Sequence, residues 1–190
     1  KLGPQKFAVG VPAGAEVMAK AAQAHADVTG YAIGKVDGAN AFNRQDRSVA
    51  AASLNEECPE VVPFFAQFYD RDSTNVTWDE QGHPIIIGTH SGWDQGDPTA
   101  PGGFSFGIKR PLQHAQDEIK QLVAADLGQE AGDACRVWAY LDDIVVIVPP
   151  THMGRAIAII LRHLAPTGYQ ANTGKFEVWG PTGPPQQLEP

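Results

Sequence analysis

Three aspartates invite a chemical reading, because each stands at the end of an apolar run of strand character. Asp37 follows Tyr31–Val36, and Asp142 and Asp143 lie between Val137–Tyr140 and Ile144–Val148. Carboxylates beside an apolar core are costly to desolvate without compensation. A hard divalent cation supplies that compensation, since it takes oxygen ligands and bridges substrate phosphates. Successive strand residues point to opposite faces, so a tight β-turn-β is needed to present Asp142 and Asp143 together. Two ions about 3.5–4 Å apart can activate an attacking oxygen and stabilise a leaving one. Each acid also has a plain reading: Asp is a common turn residue, and Asp37 can serve as a cap. A third carboxylate at a strand end favours the metal reading over the plain one.

A further segment, Gln95-Gly96-Asp97-Pro98-Thr99-Ala100-Pro101, has the makings of a rigid loop against a ligand. Gly96 permits close backbone approach, Asp97 can cap the helix that follows, and the prolines stiffen the entry. An ordinary Pro/Gly turn has the same composition.

These residues need a scaffold. Gly14–Val28 is Ala-rich and predicts a helix; Tyr31–Asp37 reads as a strand. Asp46 can cap a helix through Ser48, Ala51 and Leu54. Pro59 opens another, whose Val61, Phe64, Phe65 and Phe68 fall at helical spacing and are expected in the core. Thr74–Trp78 and Pro84–Thr89 flank Asp79-Glu80-Gln81-Gly82, a hairpin signal. Helical pattern resumes near Phe104 and again over Leu112–Leu127. After the two strands around Leu141-Asp142-Asp143, a helix from Thr151 runs through Ile157, Ile160 and Leu161. Phe176–Trp179 predicts a last strand, and the Pro- and Gly-rich 181–190 a tail or linker. Strands and helices alternate without internal repeats, so the expected fold is α/β (α+β), a sheet with helices packed on one face.

The chain has 190 residues, 43% hydrophobic and 19% charged, which suits one globular domain. No apolar run, the longest being Ala156–Leu161, approaches the roughly 20 residues that span a membrane. The start, Lys1-Leu2-Gly3-Pro4, has neither an initiator Met nor an apolar signal segment. The chain is therefore expected to be part of something longer, in an intracellular setting, nuclear or cytoplasmic. Cys58 and Cys135 form no C-x-x-C pair, which argues against a zinc site or a disulfide framework. A net charge of −8 counts against a stand-alone nucleic-acid binder.

Taken together, Asp37-x-x-Asn40-Ala41-Phe42-Asn43, Gln95-Gly96-Asp97-Pro98-x-x-Pro101 and Tyr140-x-Asp142-Asp143 resemble motifs A, B and C of reverse transcriptases, in the same order. Gly168–Glu177, with Asn172-x-x-Lys175-x-Glu177, is similar to the motif D region. Val9–Glu16 resembles the segment preceding motif A in non-LTR retrotransposon enzymes. The resemblance covers nearly the whole chain. It implies a polymerase palm, an antiparallel sheet with helices on one face, over 31–180, with partial fingers over 1–30. It also implies RNA-directed DNA polymerase activity, with an RNA template, a DNA primer and dNTPs as partners and no membrane. Asp37 and Asp142 would ligate two Mg²⁺ (or Mn²⁺) ions with Asp143 in support. The Val36 and Gly38 backbone would hold the triphosphate side, and Phe42 would lie under the incoming sugar. Gln95 and Gly96 would line nucleotide and template, and Lys175 would be a general acid toward pyrophosphate. Fingers and thumb would be flanking parts of the same polyprotein, so the isolated segment is expected to be inactive, lacking basic surface for a duplex.

Two positions depart from the family pattern. Gly38 replaces a bulkier residue. Gly102-Gly103 stands where aliphatics open the motif B helix, at a cost of about 1 kcal/mol per glycine, which puts that helix in question. Rival readings are a non-catalytic, decayed palm remnant; a viral RNA-dependent polymerase, which more often carries Gly-Asp-Asp; and a phosphate-binding loop over Gly168–Lys175. The last has one residue too many and Phe176 in place of Ser/Thr.

Overall fold

The computed structural model describes residues 2–3, 5–94, 96–180 and 186–187. Five strands form one antiparallel sheet in the order β4-β5-β1-β6-β7: Ala32–Val36 (β1), Arg136–Tyr140 (β4), Asp143–Val148 (β5), Glu177–Trp179 (β6) and Gln186–Gln187 (β7). Two further strands, Ser73–Trp78 (β2) and Pro84–Thr89 (β3), pair only with each other. The helices are Gly14–Thr29 (α1), Ala41–Arg44 (α2), Arg47–Glu57 (α3), Val62–Tyr69 (α4), Ala100–Leu127 (α5), Gln129–Asp133 (α6) and Met153–Leu164 (α7). None of the described helices is long and apolar enough to cross a membrane.

Strand alternation divides the sheet into two faces. Ala32 and Val36 of β1 and Ile144, Val146 and Val148 of β5 join the main core with Phe104, Ile108, Leu112, Ile119, Ile157 and Ile160 of α5 and α7. This is the expected antiparallel sheet, with α5 and α7 packed on one face. Ile147 points the other way and packs on Ala22 and Ala26 of α1, with Ile33 and Trp138 beside it. The N-terminal helix thus lies over the opposite face. The predicted hairpin forms, with Trp78 opposite Pro84, and Asp79 closes its turn by accepting from the Gln81 and His83 amides at 2.9 and 2.8 Å. Asp46 caps α3 through the Ser48 amide, 2.8 Å away.

The helix expected to be interrupted at Gly102-Gly103 differs from expectation. It begins at Ala100, includes both glycines and continues through Pro111 to Leu127. The face formed by Phe104, Ile108, Leu112, Ala115, Ile119 and Val123 is buried along its length, and that burial outweighs the hydrogen bond lost at Pro111. Gly103 is required by close approach, for a Cβ there would sit 2.4 Å from the Trp93 ring. One turn on, a Cβ at Gly107 would meet the Gln45 side chain at 2.5 Å. Trp93 Nε1 donates to Gln45 Oε1, and Gln45 Nε2 donates to the Phe104 carbonyl at 3.0 Å, so this buried pair satisfies itself against the helix. Gly103→Ala, which would stabilise an open helix by about 1 kcal/mol, is expected instead to destabilise by about 1–3 kcal/mol. Gly102→Ala, where the nearest atom is Phe65 Cζ at 3.9 Å, should stabilise. Denaturant melts of the two variants check the opposite signs.

Phe64 and Phe68 are also not in the core. They are 49% and 55% exposed, and of the expected aromatic stripe only Phe65 packs against buried residues. Helix α4 is short and touches the rest of the fold along one edge. Most of the tail, 181–185 and 188–190, lies outside the described residues, while Gln186–Gln187 pairs with β6.

Candidate active site

The end of the sheet is where the acids meet. Tyr140 pairs with Asp143, leaving Leu141 and Asp142 as the two turn residues between β4 and β5. Leu141 adopts φ 56°, a left-handed conformation that bulky residues rarely take. Strain of this kind persists only where the surroundings impose it. Val36 pairs with Ile144 on the neighbouring strand, so the chain reaches Asp37 alongside Asp143. Asp37 therefore arrives at one edge with Asp142 and Asp143, more than a hundred residues further along the chain.

The residues after β1 are held by the predicted motif D segment. The Ala39 amide donates to the Gln170 carbonyl at 2.7 Å and the Asn172 amide to the Asp37 carbonyl at 2.9 Å. Gly38, the first departure from the family pattern, now has a physical reason. A Cβ there would lie 2.7 Å from the Tyr169 ring and 2.8 Å from Ala41 Cβ. Tyr169 in turn donates from its hydroxyl to the Asp142 carbonyl at 3.4 Å. Burial, then the nearby charges of Asp142, Asp37 and Asp143, push that hydroxyl far above the usual tyrosine range, so it stays a donor.

Two clefts open at this edge. One, of about 390 Å³, is lined by Asp37, Gly38, Asn40, Phe42, Asp142, Asn172 and Lys175. The other, of about 420 Å³, is lined by Phe42, Asp94, Gly96, Asp97, Ala100, Pro101 and Asp142. Phe42 and Asp142 are common to both, and Phe42 stacks on Phe104 with ring centroids 4.5 Å apart. Val36 is fully buried, paired with Ile144, and borders neither cleft. Gln95 lies outside the described residues. Asp97 caps the loop before α5 by accepting from the Thr99 amide at 2.7 Å, and also accepts from the Tyr69 hydroxyl.

The three acids have different surroundings. Asp143 forms an ion pair with Lys35, Nζ to Oδ1 3.0 Å. Asp37 has one buried oxygen, Oδ2, that accepts no hydrogen bond among the described residues. Lys175 Nζ approaches that oxygen to 3.5 Å, close enough for charge attraction but outside hydrogen-bonding geometry. Burial raises the pKa of Asp142; its own backbone amide holds it back in part, while Asp143 and Asp37 raise it further. Among the described residues no three His, Cys, Asp or Glu side chains are gathered as a ready-made metal cage. Asp37 and Asp142 nevertheless fit a divalent cation. They face one cleft with acceptor-only oxygens, one of them buried without a partner, and the strain of like charge is relieved by positive charge.

Lys35 and Tyr169 are site residues that the sequence reading did not select. Lys35 had a signal, since residues two apart on a strand share a face and Asp37 follows at that spacing. Tyr169 had none.

No family model matches the sequence, and no curated protein matches it. Solved structures do. Apo telomerase from Candida tropicalis, truncated from its C-terminal domain, superposes with a TM-score of 0.67 at 11% identity, over 95% of this chain and 37% of that one. The fold is polymerase-like. Telomerase from Candida albicans in complex with a TWJ fragment of telomeric RNA gives a TM-score of 0.63 at 13% identity, over 94% and 32% of the two chains. A second apo telomerase from Candida tropicalis gives 0.62 at 11% identity, over 93% and 33%. The chain thus spans about a third of the length of these telomerases, and at such identities the likeness is one of fold.

Proposed function

We propose that this chain is the palm core of an RNA-directed DNA polymerase of the non-LTR retrotransposon type, which joins dNTPs to a primer 3′-hydroxyl on an RNA template. The observation that carries the reading is the cleft that Asp37 and Asp142 line together with Phe42, where Asp37 Oδ2 is buried without a hydrogen bond and Lys175 Nζ lies 3.5 Å from it. The polymerase-like fold supports it, as does the complex of a telomerase neighbour with a fragment of telomeric RNA. An intracellular setting, nuclear or cytoplasmic, goes with such a template.

In this reading Asp37 and Asp142 hold two Mg²⁺ ions, or Mn²⁺ in their place. When bound, these ions neutralise phosphate charge and lower the pKa of the attacking hydroxyl. The chain's own part is positioning. Phe42 supports the incoming sugar, while the Gly38 backbone borders the triphosphate end of the cleft. Gly96 borders the second cleft, with Gln95 next to it in sequence, on the side assigned to base and template. Lys175, whose side chain is 67% exposed at the cleft beside Asp37, donates a proton to the departing pyrophosphate. In the complete enzyme, with its fingers and thumb, Lys175→Ala should lower kcat about 10²-fold and change KM for dNTP much less. Single-turnover extension measures both. An unaltered kcat would remove Lys175 from proton transfer.

A second reading is a palm remnant that folds without catalysing. The net charge of −8 and the pairing of Asp143 with Lys35 favour it. Extension of a primed RNA template by a longer form of the protein decides between the two.

A further inference from the structure

Among the described residues, Asp143 is the one site carboxylate with a cation at 3.0 Å, while Lys175 stands 3.5 Å from Asp37. Lys35 Nζ lies 3.0 Å from Asp143 Oδ1, with side-chain exposures of 37% and 42%. Lys35 sits on β1 opposite Val145 of β5 and Glu177 of β6, so its ammonium reaches Asp143 along the diagonal between neighbouring strands. Asp143 accordingly borders neither cleft, whereas Asp142 borders both and Asp37 one.

We infer that Lys35 is a positioning residue, a built-in counter-ion that draws the Asp143 carboxylate to the flank of the sheet, so that Asp143 can join Asp37 and Asp142 around a divalent cation only by giving up Lys35. This rests on the metal reading of the cleft given above. The pair is partly exposed, so its own contribution to stability is small, and a bound cation can break it. Lys35 thereby sets how many carboxylates a cation meets. With the pair intact the cleft offers two acids, and with it broken three.

The test is Mn²⁺ binding to the 190-residue chain, followed by the loss of the free-ion paramagnetic resonance signal. Lys35→Met should tighten Mn²⁺ about tenfold, with Lys35→Gln as a second neutral variant. Lys35→Arg, which keeps the pair, should bind as the unaltered chain does. The gain must come largely through Asp143, so Lys35→Met combined with Asp143→Asn should lose most of it. Circular dichroism confirms that each variant is folded. Unchanged or weaker binding in both folded neutral variants overturns the inference, and so does a gain that survives in the double variant. Those results leave the cleft's metal reading standing, provided Asp142→Asn still abolishes binding. Absence of Mn²⁺ binding in every form overturns both.

Discussion

Replacing Asp142 by Asn is expected to lower primer extension by the complete polymerase on the order of 10³-fold or more, while leaving the fold at least as stable as before. The two effects share one cause. Asp142 borders both clefts and is half-buried at a strained turn. Burial raises its pKa above the ordinary carboxylate value, and Asp143 and Asp37 add to that against the pull of its own backbone amide and of Lys35. The folded state therefore binds the Asp142 proton more tightly than the unfolded chain does. This group's contribution to stability is fully present below the ordinary carboxylate range and is lost as pH rises through the raised pKa. In the metal-free protein at neutral pH the ionised carboxylate works against folding. Asp142→Asn keeps the shape and removes the charge, so the variant should lose that part of the pH dependence along with its activity. Single-turnover extension, paired with urea denaturation above and below the ordinary carboxylate range, measures both. A well-folded variant within tenfold of normal activity would take Asp142 out of the mechanism. A variant that loses activity only by unfolding would make the residue structural.

Phe42→Val should raise ribonucleotide incorporation relative to deoxynucleotide by roughly one to two orders of magnitude, on the order of 1–3 kcal/mol of discrimination. Phe42 lines both clefts, and its other face stacks on the buried Phe104. Its ring is thus both a wall of the site and a partner of the core, and the two roles predict different outcomes. A wall that excludes a 2′-hydroxyl changes the ratio of kcat/KM for the two sugars. Packing alone lowers both together. Phe104→Ala supplies the contrast, because Phe104 is 1% exposed and borders neither cleft. Its truncation should cost about 3–5 kcal/mol and leave the ratio nearly unaltered. Phe42 is only partly buried, and the milder Phe42→Val change should cost about 1–2 kcal/mol. Single-nucleotide extension with each sugar, beside melting curves, separates the cases. An unchanged ratio in a folded Phe42→Val protein would leave the residue as packing and remove the support for a deoxynucleotide substrate.

What could be read in the sequence was local. The apolar runs flanking Leu141-Asp142-Asp143 predicted β4 and β5, and the turn residues Asp79–Gly82 predicted the β2–β3 hairpin. Both depend on neighbours a few residues apart. The readings that failed depend on partners far along the chain. Gly102-Gly103 suggested an interrupted helix because propensity was counted and packing could not be. The ring that occupies the space at Gly103 belongs to Trp93, fixed in turn by Gln45. Phe64 and Phe68 fell at core spacing, yet no element lies over that side of α4 in the described structure to bury them. At the site, the grouping of Asp37, Phe42 and Asp142 was legible through the ordered motifs. The ion pair of Asp143 with Lys35 was not. It depends on Lys35 lying across a strand pair whose register no short stretch of sequence reveals.

The central claim is that Asp37 and Asp142 together hold a divalent cation in the cleft above Phe42. The most direct measurement is anomalous diffraction from crystals of the protein grown with Mn²⁺ and a deoxynucleoside triphosphate. The account predicts an anomalous peak about 2.0–2.3 Å from a carboxylate oxygen of each, consistent with coordination by hard oxygen ligands, with Asp37 Oδ2 among them and Lys175 moved away from it. A second peak about 3.5–4 Å from the first would complete the two-metal arrangement. A cleft without an anomalous peak at saturating Mn²⁺, or a peak held by other residues while Asp37 Oδ2 stays buried and unpartnered, would contradict it.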